Sequence, residues 1–127
     1  MHRAITAMLI LVTSTAVAGD KSTPKPAARL IAVVHSAAAA NDLKSLRRLM
    51  ALDFVSSFGG EGGKKEALAL WGSDPIYLRH LAKATASPCQ LQSPNYVECP
   101  RRAGIGYRAG FKLINGKWVF ASFVAGD

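Results

Sequence analysis

The sequence predicts an α+β domain in which N-terminal helices pack on a C-terminal antiparallel sheet, curved into a cone-like shape and braced by one disulfide. Three observations support this prediction. Apolar residues recur at helical spacing through the first two thirds of the domain. The period then changes to two, around an Asn115-Gly116 pair that is typical of a tight hairpin turn. Two cysteines, Cys89 and Cys99, flank a shorter hairpin.

The first 18 residues are predicted to be a cleavable signal peptide. Met1-His2-Arg3 gives a cationic start, Ala4 to Val12 is an apolar run, and Ala16-Val17-Ala18 places small residues before a new N-terminus at Gly19. The apolar run is about half the ~20 residues that a membrane helix needs. We therefore expect an exported protein, periplasmic or secreted, with no membrane span after cleavage. A retained anchor or a buried N-terminal helix is the alternative.

The mature chain is expected to form one basic domain. Removing 18 of the 127 residues leaves 109, which is enough for a single core. Residues 19–26 contain two prolines and no large apolar residue, so they are predicted to be a flexible linker before a domain at 27–127. The net charge of +8 falls by one, because the leader carries one arginine and no acid. Such a charge attracts anionic surfaces and acidic partners without specificity.

Four helical segments and a short strand are predicted before the hairpins. The first helix spans roughly 27–40, and the second follows Asn41-Asp42. A brief strand at 54–58 leads into a glycine loop at 59–63. Lys64 to Trp71 resumes helical spacing, and Asp74-Pro75 is predicted to cap a last helix that ends before Ser87-Pro88.

Two hairpins are predicted to form the sheet. A three-residue loop at 93–95 sets Cys89 directly opposite Cys99, which favours a structural disulfide over a metal or redox pair. Regular pairing across Asn115-Gly116 gives the second hairpin a packed face, with residues Tyr107, Ala109, Phe111, Leu113, Trp118, Phe120, Ser122 and Val124. Its other face mixes cations with apolar groups and is expected to be half exposed, to line a groove or to meet another chain, with residues Arg108, Gly110, Lys112, Val119, Ala121 and Phe123.

Four cationic residues are the predicted contacts for an anionic ligand. Arg101, Arg102 and Arg108 surround two glycines, and Lys112 follows on the same strand. Guanidinium groups suit phosphate, sulfate and carboxylate recognition. A solvated loop is the alternative, since no aromatic residues of the kind used in nucleic-acid binding are interleaved with them, and no specific nucleic acid is expected.

Catalytic candidates are weaker. His35 and His80 on helices could act as acid or base with Asp53 as the partner carboxylate. No serine or cysteine occupies a nucleophile elbow, and no metal-ligand pattern or cofactor motif is present, so no cofactor is expected. The glycine loop lacks two features of a phosphate-binding loop: Phe58 stands where its first glycine belongs, and Lys65 where its Ser or Thr belongs.

Several short motifs resemble small exported bacterial proteins of unassigned function. They cover roughly residues 41–127 and include Ser57-Phe58-Gly59-Gly60, Trp71, Asp74-Pro75, Cys99-Pro100, Tyr107-Arg108-Ala109-Gly110-Phe111 and Gly116-Lys117-Trp118. The order of elements also resembles, more loosely, the nuclear-transport-factor-two-like fold. That resemblance implies a curved sheet wrapped around helices to form a pocket, in a fold that serves binding proteins, isomerases and hydrolases alike.

The function expected from the sequence is noncatalytic binding of an anionic small molecule or of a cell-envelope protein, with Arg101, Arg102, Arg108 and Lys112 as the contact surface. A homodimer is compatible with the same surface. The alternative is a small pocket enzyme, of isomerase or hydrolase type, that uses a histidine and Asp53 as acid and base.

Overall fold

The computed structural model describes residues 22–57, 63–101 and 106–125, which form four helices and five strands. The predicted signal peptide lies outside these residues, as does most of the glycine loop. In chain order the elements are α1 Lys25–Ala39, α2 Leu43–Leu49, β1 Met50–Ser56, α3 Lys64–Ser73, α4 Ile76–Ala86, β2 Gln90–Ser93, β3 Tyr96–Cys99, β4 Tyr107–Ile114 and β5 Lys117–Ala125. The predicted α+β class and disulfide are confirmed. Within the described residues, no helix is long and apolar enough to cross a membrane.

Local sequence signals explain where the helices begin. α1 begins at Lys25, inside the predicted linker. Pro26 is tolerated in its first turn because the backbone N–H groups there have no partner within the helix. At α2, Asp42 Oδ1 accepts a hydrogen bond from the Ser45 amide at 3.0 Å. Hydrogen bonds from Ser45 hold the pKa of Asp42 below its usual range. Asp74 Oδ1 accepts from the Ile76 amide at 3.0 Å, which confirms its predicted capping role.

The sheet is mixed, which corrects the antiparallel prediction. Its strand order is β1-β5-β4-β3-β2, and β1 runs parallel to β5 while the other pairs are antiparallel. The first strand also begins at Met50, earlier than the predicted 54–58. Two parallel neighbouring strands need a long connection between them. Here two helices and three strands lie between β1 and β5, so the last strand can return beside β1 in the same direction.

A β-bulge at Ala121 changes the predicted faces of the β4–β5 hairpin. The pairs Leu113↔Trp118 and Phe111↔Phe120 are as predicted, but Gly110 pairs with Ser122. One extra residue on β5 reverses the alternation beyond it. Phe123 therefore lies in the core opposite Ala109, while Ser122 and Val124 lie on the other face, contrary to the prediction.

The disulfide braces the β2–β3 hairpin. Cys89 and Cys99 are bonded with a Cα–Cα distance of 4.3 Å. Leu91 pairs with Val97 as predicted, but Ser93 pairs with Tyr96, so the turn is two residues long rather than three and β2 carries an irregularity. Bulges of this kind bend strands and curve a sheet.

Aromatic side chains fill the space between the helices and the sheet. Trp71 of α3 is almost completely buried, and its ring packs edge-on against Phe54 and Phe123 at centroid distances of 5.7 Å. Phe111 and Phe120 stack beside them at 5.3 Å. The sheet face that holds these residues is called the inner face below, and the opposite side the outer face.

Candidate functional site

A groove of about 360 Å³ runs across the outer face of the sheet. It crosses β1, β5, β4 and β3, and its lining combines aliphatic groups with charges and hydroxyls. The lining residues are Asp53, Val55, Tyr96, Lys112, Ala121, Ser122 and Val124. The second hairpin was predicted to have one face that mixes cations with apolar groups. Of the three outcomes expected for that face, the structure shows a groove, called the outer-face groove below.

Gly110 of β4 lies between the hydroxyl groups of Tyr96 and Ser122, two residues that line the groove. The Tyr96 hydroxyl and the Ser122 hydroxyl approach to 3.2 Å across this glycine. A β-carbon on Gly110 would overlap both oxygens, so only glycine leaves room for the contact. Burial raises the pKa of the Tyr96 phenol, and the hydrogen bond with Ser122 opposes that rise only in part.

Replacing Gly110 with alanine is expected to lower the free energy of unfolding by about 1–3 kcal/mol, a typical cost of overpacking. The added methyl must push Tyr96 and Ser122 apart, although alanine alone favours a strand more than glycine does. Urea unfolding of Gly110→Ala measures the loss. The same change in a background with Tyr96→Phe and Ser122→Ala removes both obstructing oxygens and should cost much less. Equal costs in the two backgrounds would contradict this account.

Two of the four predicted cationic contacts lie on the outer face. Lys112 is exposed at the groove, and Arg108 is half-buried on the same side of β4. The positive charge of Arg108 opposes, in small part, the larger effect of burial on the pKa of Tyr96. Arg108 Nε is buried without a hydrogen-bond partner among the described residues. A buried donor with no partner costs free energy.

Of the other two predicted contacts, Arg101 is not brought to this face. Arg101 is exposed in the turn after β3, and its backbone N–H donates to the Pro88 carbonyl at 2.7 Å. Arg102 lies outside the described residues. Among the described residues, the outer face therefore carries Arg108 and Lys112 of the four predicted contacts.

No protein-family model matches the sequence, and no curated protein is significantly similar to it. Among solved structures, the chain is similar to an NTF-2-like protein of unknown function from Shewanella oneidensis MR-1. The identity is 15%, the alignment covers 78% of this chain and 94% of that one, and the TM-score is 0.45.

The acid–base candidates lie in three different environments. His35 Nδ1 of α1 lies 2.9 Å from the Ala82 carbonyl oxygen and 3.2 Å from Thr85 Oγ1, so this ring links α1 to α4. The His80 ring stacks on Tyr107 of β4, on the inner side of the sheet. Asp53 lines the outer-face groove. No hydrogen bond joins either histidine to Asp53 in the described structure, and no cluster of three potential metal ligands occurs within it.

Sequence reasoning missed three contributors to the groove. Tyr96 and Ser122 meet only because the bulge at Ala121 brings Ser122 to the outer face. Val55, which is 57% exposed, comes from a strand whose parallel partner is distant in sequence. The glycine within the apolar strand 107–114 was the available signal, because glycine inside a strand often marks a bulge or a close approach.

Proposed function

We propose that the protein is an exported, noncatalytic binding domain whose outer-face groove binds an acidic and partly apolar segment of a cell-envelope protein. The observation that carries this proposal is the placement of half-buried Arg108 and exposed Lys112 on one strand face, beside a groove that also exposes Val55. A carboxylate from the partner would pair with the accessible part of the Arg108 guanidinium, and an aliphatic side chain would cover Val55 and Val124.

The spacing of charges supports an extended partner. Arg108 and Lys112 are four residues apart on one strand face, which corresponds to about 13 Å at the usual rise of a strand. Two acidic side chains of a segment running along β4 can therefore reach both cations. Asp53 stands on β1 at the opposite side of the groove and repels acidic side chains there, so the acidic edge of the segment would face β4.

The packed interior supports binding over catalysis. The resemblance to cone-shaped folds implied a pocket between helices and sheet, but Trp71, Phe54, Phe120 and Phe123 fill the part of that space beneath α3. The candidate histidines and Asp53 lie in different environments, as described above. An acid–base pair needs both groups within reach of one substrate proton.

Site-specific photocrosslinking tests the proposal. A photoreactive residue is placed at Val55 in the groove or at Val33 on α1, which is 50% exposed and serves as the matched control. In the native host, Val55 should give one discrete adduct with another protein, and Val33 should not. Lys112→Glu should reduce the Val55 adduct at least fivefold, whereas Lys44→Glu, an exposed change on α2, should leave it unchanged.

Four results would overturn the proposal. The first is an adduct at Val33 as strong as that at Val55, and the second is an adduct that Lys112→Glu does not affect. The third is an adduct at twice the mass of this chain, which would assign the face to a homodimer. Absence of any Val55 adduct would count against it equally.

A further inference from the structure

A second concavity lies on the inner side of the molecule, between the end of α4 and the region where β3 ends and β4 begins. Its volume is about 350 Å³, near the lower end of the range for small-molecule sites. The lining residues are His80, Lys83, Ala84, Ser87, Pro100, Gly106 and Tyr107. It is called the α4–β4 cleft below, and none of its described lining residues also lines the outer-face groove.

One face of α4 supplies most of the cleft. Residues 80, 83, 84 and 87 are spaced by three and four, so their side chains project from the same side of the helix. The opposite wall comes from the chain on either side of residues 101–105. The cleft is therefore built by an approach between elements that are distant in sequence.

The aromatic wall of the cleft is anchored to the core. The His80 and Tyr107 rings stack at a centroid distance of 4.0 Å with an angle of 16° between their planes. Tyr107 in turn stacks on Phe123, at 5.5 Å, and Phe123 is fully buried. Side chains held in this way lose little further freedom when a ligand binds, which reduces the entropic cost of binding.

The described lining of the cleft carries positive charge and no negative charge. Lys83 is exposed at its edge, and no carboxylate side chain is among the described lining residues. The His80 ring adds a second nitrogen donor beside it. The Ser87 hydroxyl donates to the Lys83 carbonyl at 2.9 Å, so its proton is already engaged and the hydroxyl does not serve an anion. Ala84, Pro100 and the Tyr107 ring complete the lining with apolar surface.

We infer that the α4–β4 cleft binds a small organic anion, with a carboxylate against Lys83 and His80 and an apolar body against Ala84, Pro100 and Tyr107. A lysine at this position also offsets the partial negative charge of the helix C-terminus, which is a purely structural role. The two roles differ in what they predict, because a structural lysine alters stability but does not select between a charged and a neutral ligand.

Binding of three matched probes distinguishes these roles. Benzoate carries both the charge and the apolar body, benzamide lacks the charge, and acetate lacks the body. In NMR titrations of the disulfide-bonded protein, benzoate should shift the amide signals of His80, Lys83 and Gly106 saturably. Its affinity should exceed those of benzamide and acetate at least tenfold.

Variants then test the assigned residues. Lys83→Ala should weaken benzoate binding about tenfold, a common size for the loss of one charged contact. Lys83→Arg should restore most of it. His80→Phe keeps a ring against Tyr107 but removes the donor, so it should weaken binding without unfolding the protein. Lys44→Ala, an exposed change on α2, should change nothing. Equal binding of benzoate and benzamide, full affinity in a folded Lys83→Ala protein, or no saturable shift with benzoate would overturn the inference.

Discussion

Replacing Trp71 with alanine is expected to lower the free energy of unfolding by about 3–5 kcal/mol, the usual cost of deleting a large buried aromatic side chain. Trp71 contacts the rings of Phe54, Phe120 and Phe123, so its removal leaves a cavity at the junction of α3, β1 and β5. Close packing prevents the surrounding rings from collapsing fully into that space. Urea unfolding followed by circular dichroism measures the loss.

One further variant at Trp71 separates packing from hydrogen bonding, and a variant at Trp118 serves as the control. Trp71 Nε1 is buried without a hydrogen-bond partner in the described structure, so Trp71→Phe removes an unsatisfied donor and keeps a ring. Its cost should therefore be well below that of Trp71→Ala. Trp118, which is only half-buried, provides the matched control, and Trp118→Ala should also cost less. Equal losses for Trp71→Ala and Trp118→Ala would contradict the central position assigned to Trp71.

Removing the disulfide is expected to lower the free energy of unfolding by about 3 kcal/mol, as the chain-entropy relation gives for a loop of this length. Cys89 and Cys99 are separated by 10 residues, and the bond holds β2, a four-residue edge strand, against the sheet. A variant with both Cys89→Ala and Cys99→Ala gives the loss directly in urea unfolding.

Reductant provides the control for the disulfide variant. Dithiothreitol should destabilise the parent protein by a similar amount and should leave the double-alanine protein unchanged. Because Cys99 is fully buried, alanine is a better replacement than serine, whose hydroxyl would need a partner there. A loss below about 0.5 kcal/mol would mean that the β2–β3 hairpin is already ordered in the unfolded chain.

The elements that sequence reasoning located correctly depend on local chemistry. Asp74 and Pro75 mark the start of α4, and Asn115-Gly116 sets the hairpin turn, because capping and positive φ angles are decided within a few residues. The parallel pairing of β1 with β5 was missed because it depends on contacts between residues about 70 positions apart. The bulge at Ala121 has no local marker, since alanine fits regular strands and bulges alike.

The candidate sites were predictable only in part for the same reason. Alternation along β4 correctly placed Arg108 and Lys112 on one face. Ser122 was assigned to the wrong face because a single inserted residue reverses the alternation beyond it. The cleft residues Lys83 and Tyr107 carry no motif, and they meet only when α4 packs on β4. Residue type indicated the available charges, whereas tertiary packing decided which of them share a site.

The parallel pairing of β1 with β5 determines which parts of the fold can form while the chain is still being synthesised. A ribosome releases the N-terminal part first, yet Met50 and Phe54 find their strand neighbour only when Phe120 and Phe123 have been made. The helices α1 and α4 can meet earlier, but the apolar surface that β5 covers stays open until the chain is nearly complete. Until then the nascent chain exposes that apolar surface, and a stall before β5 leaves it uncovered and prone to aggregation.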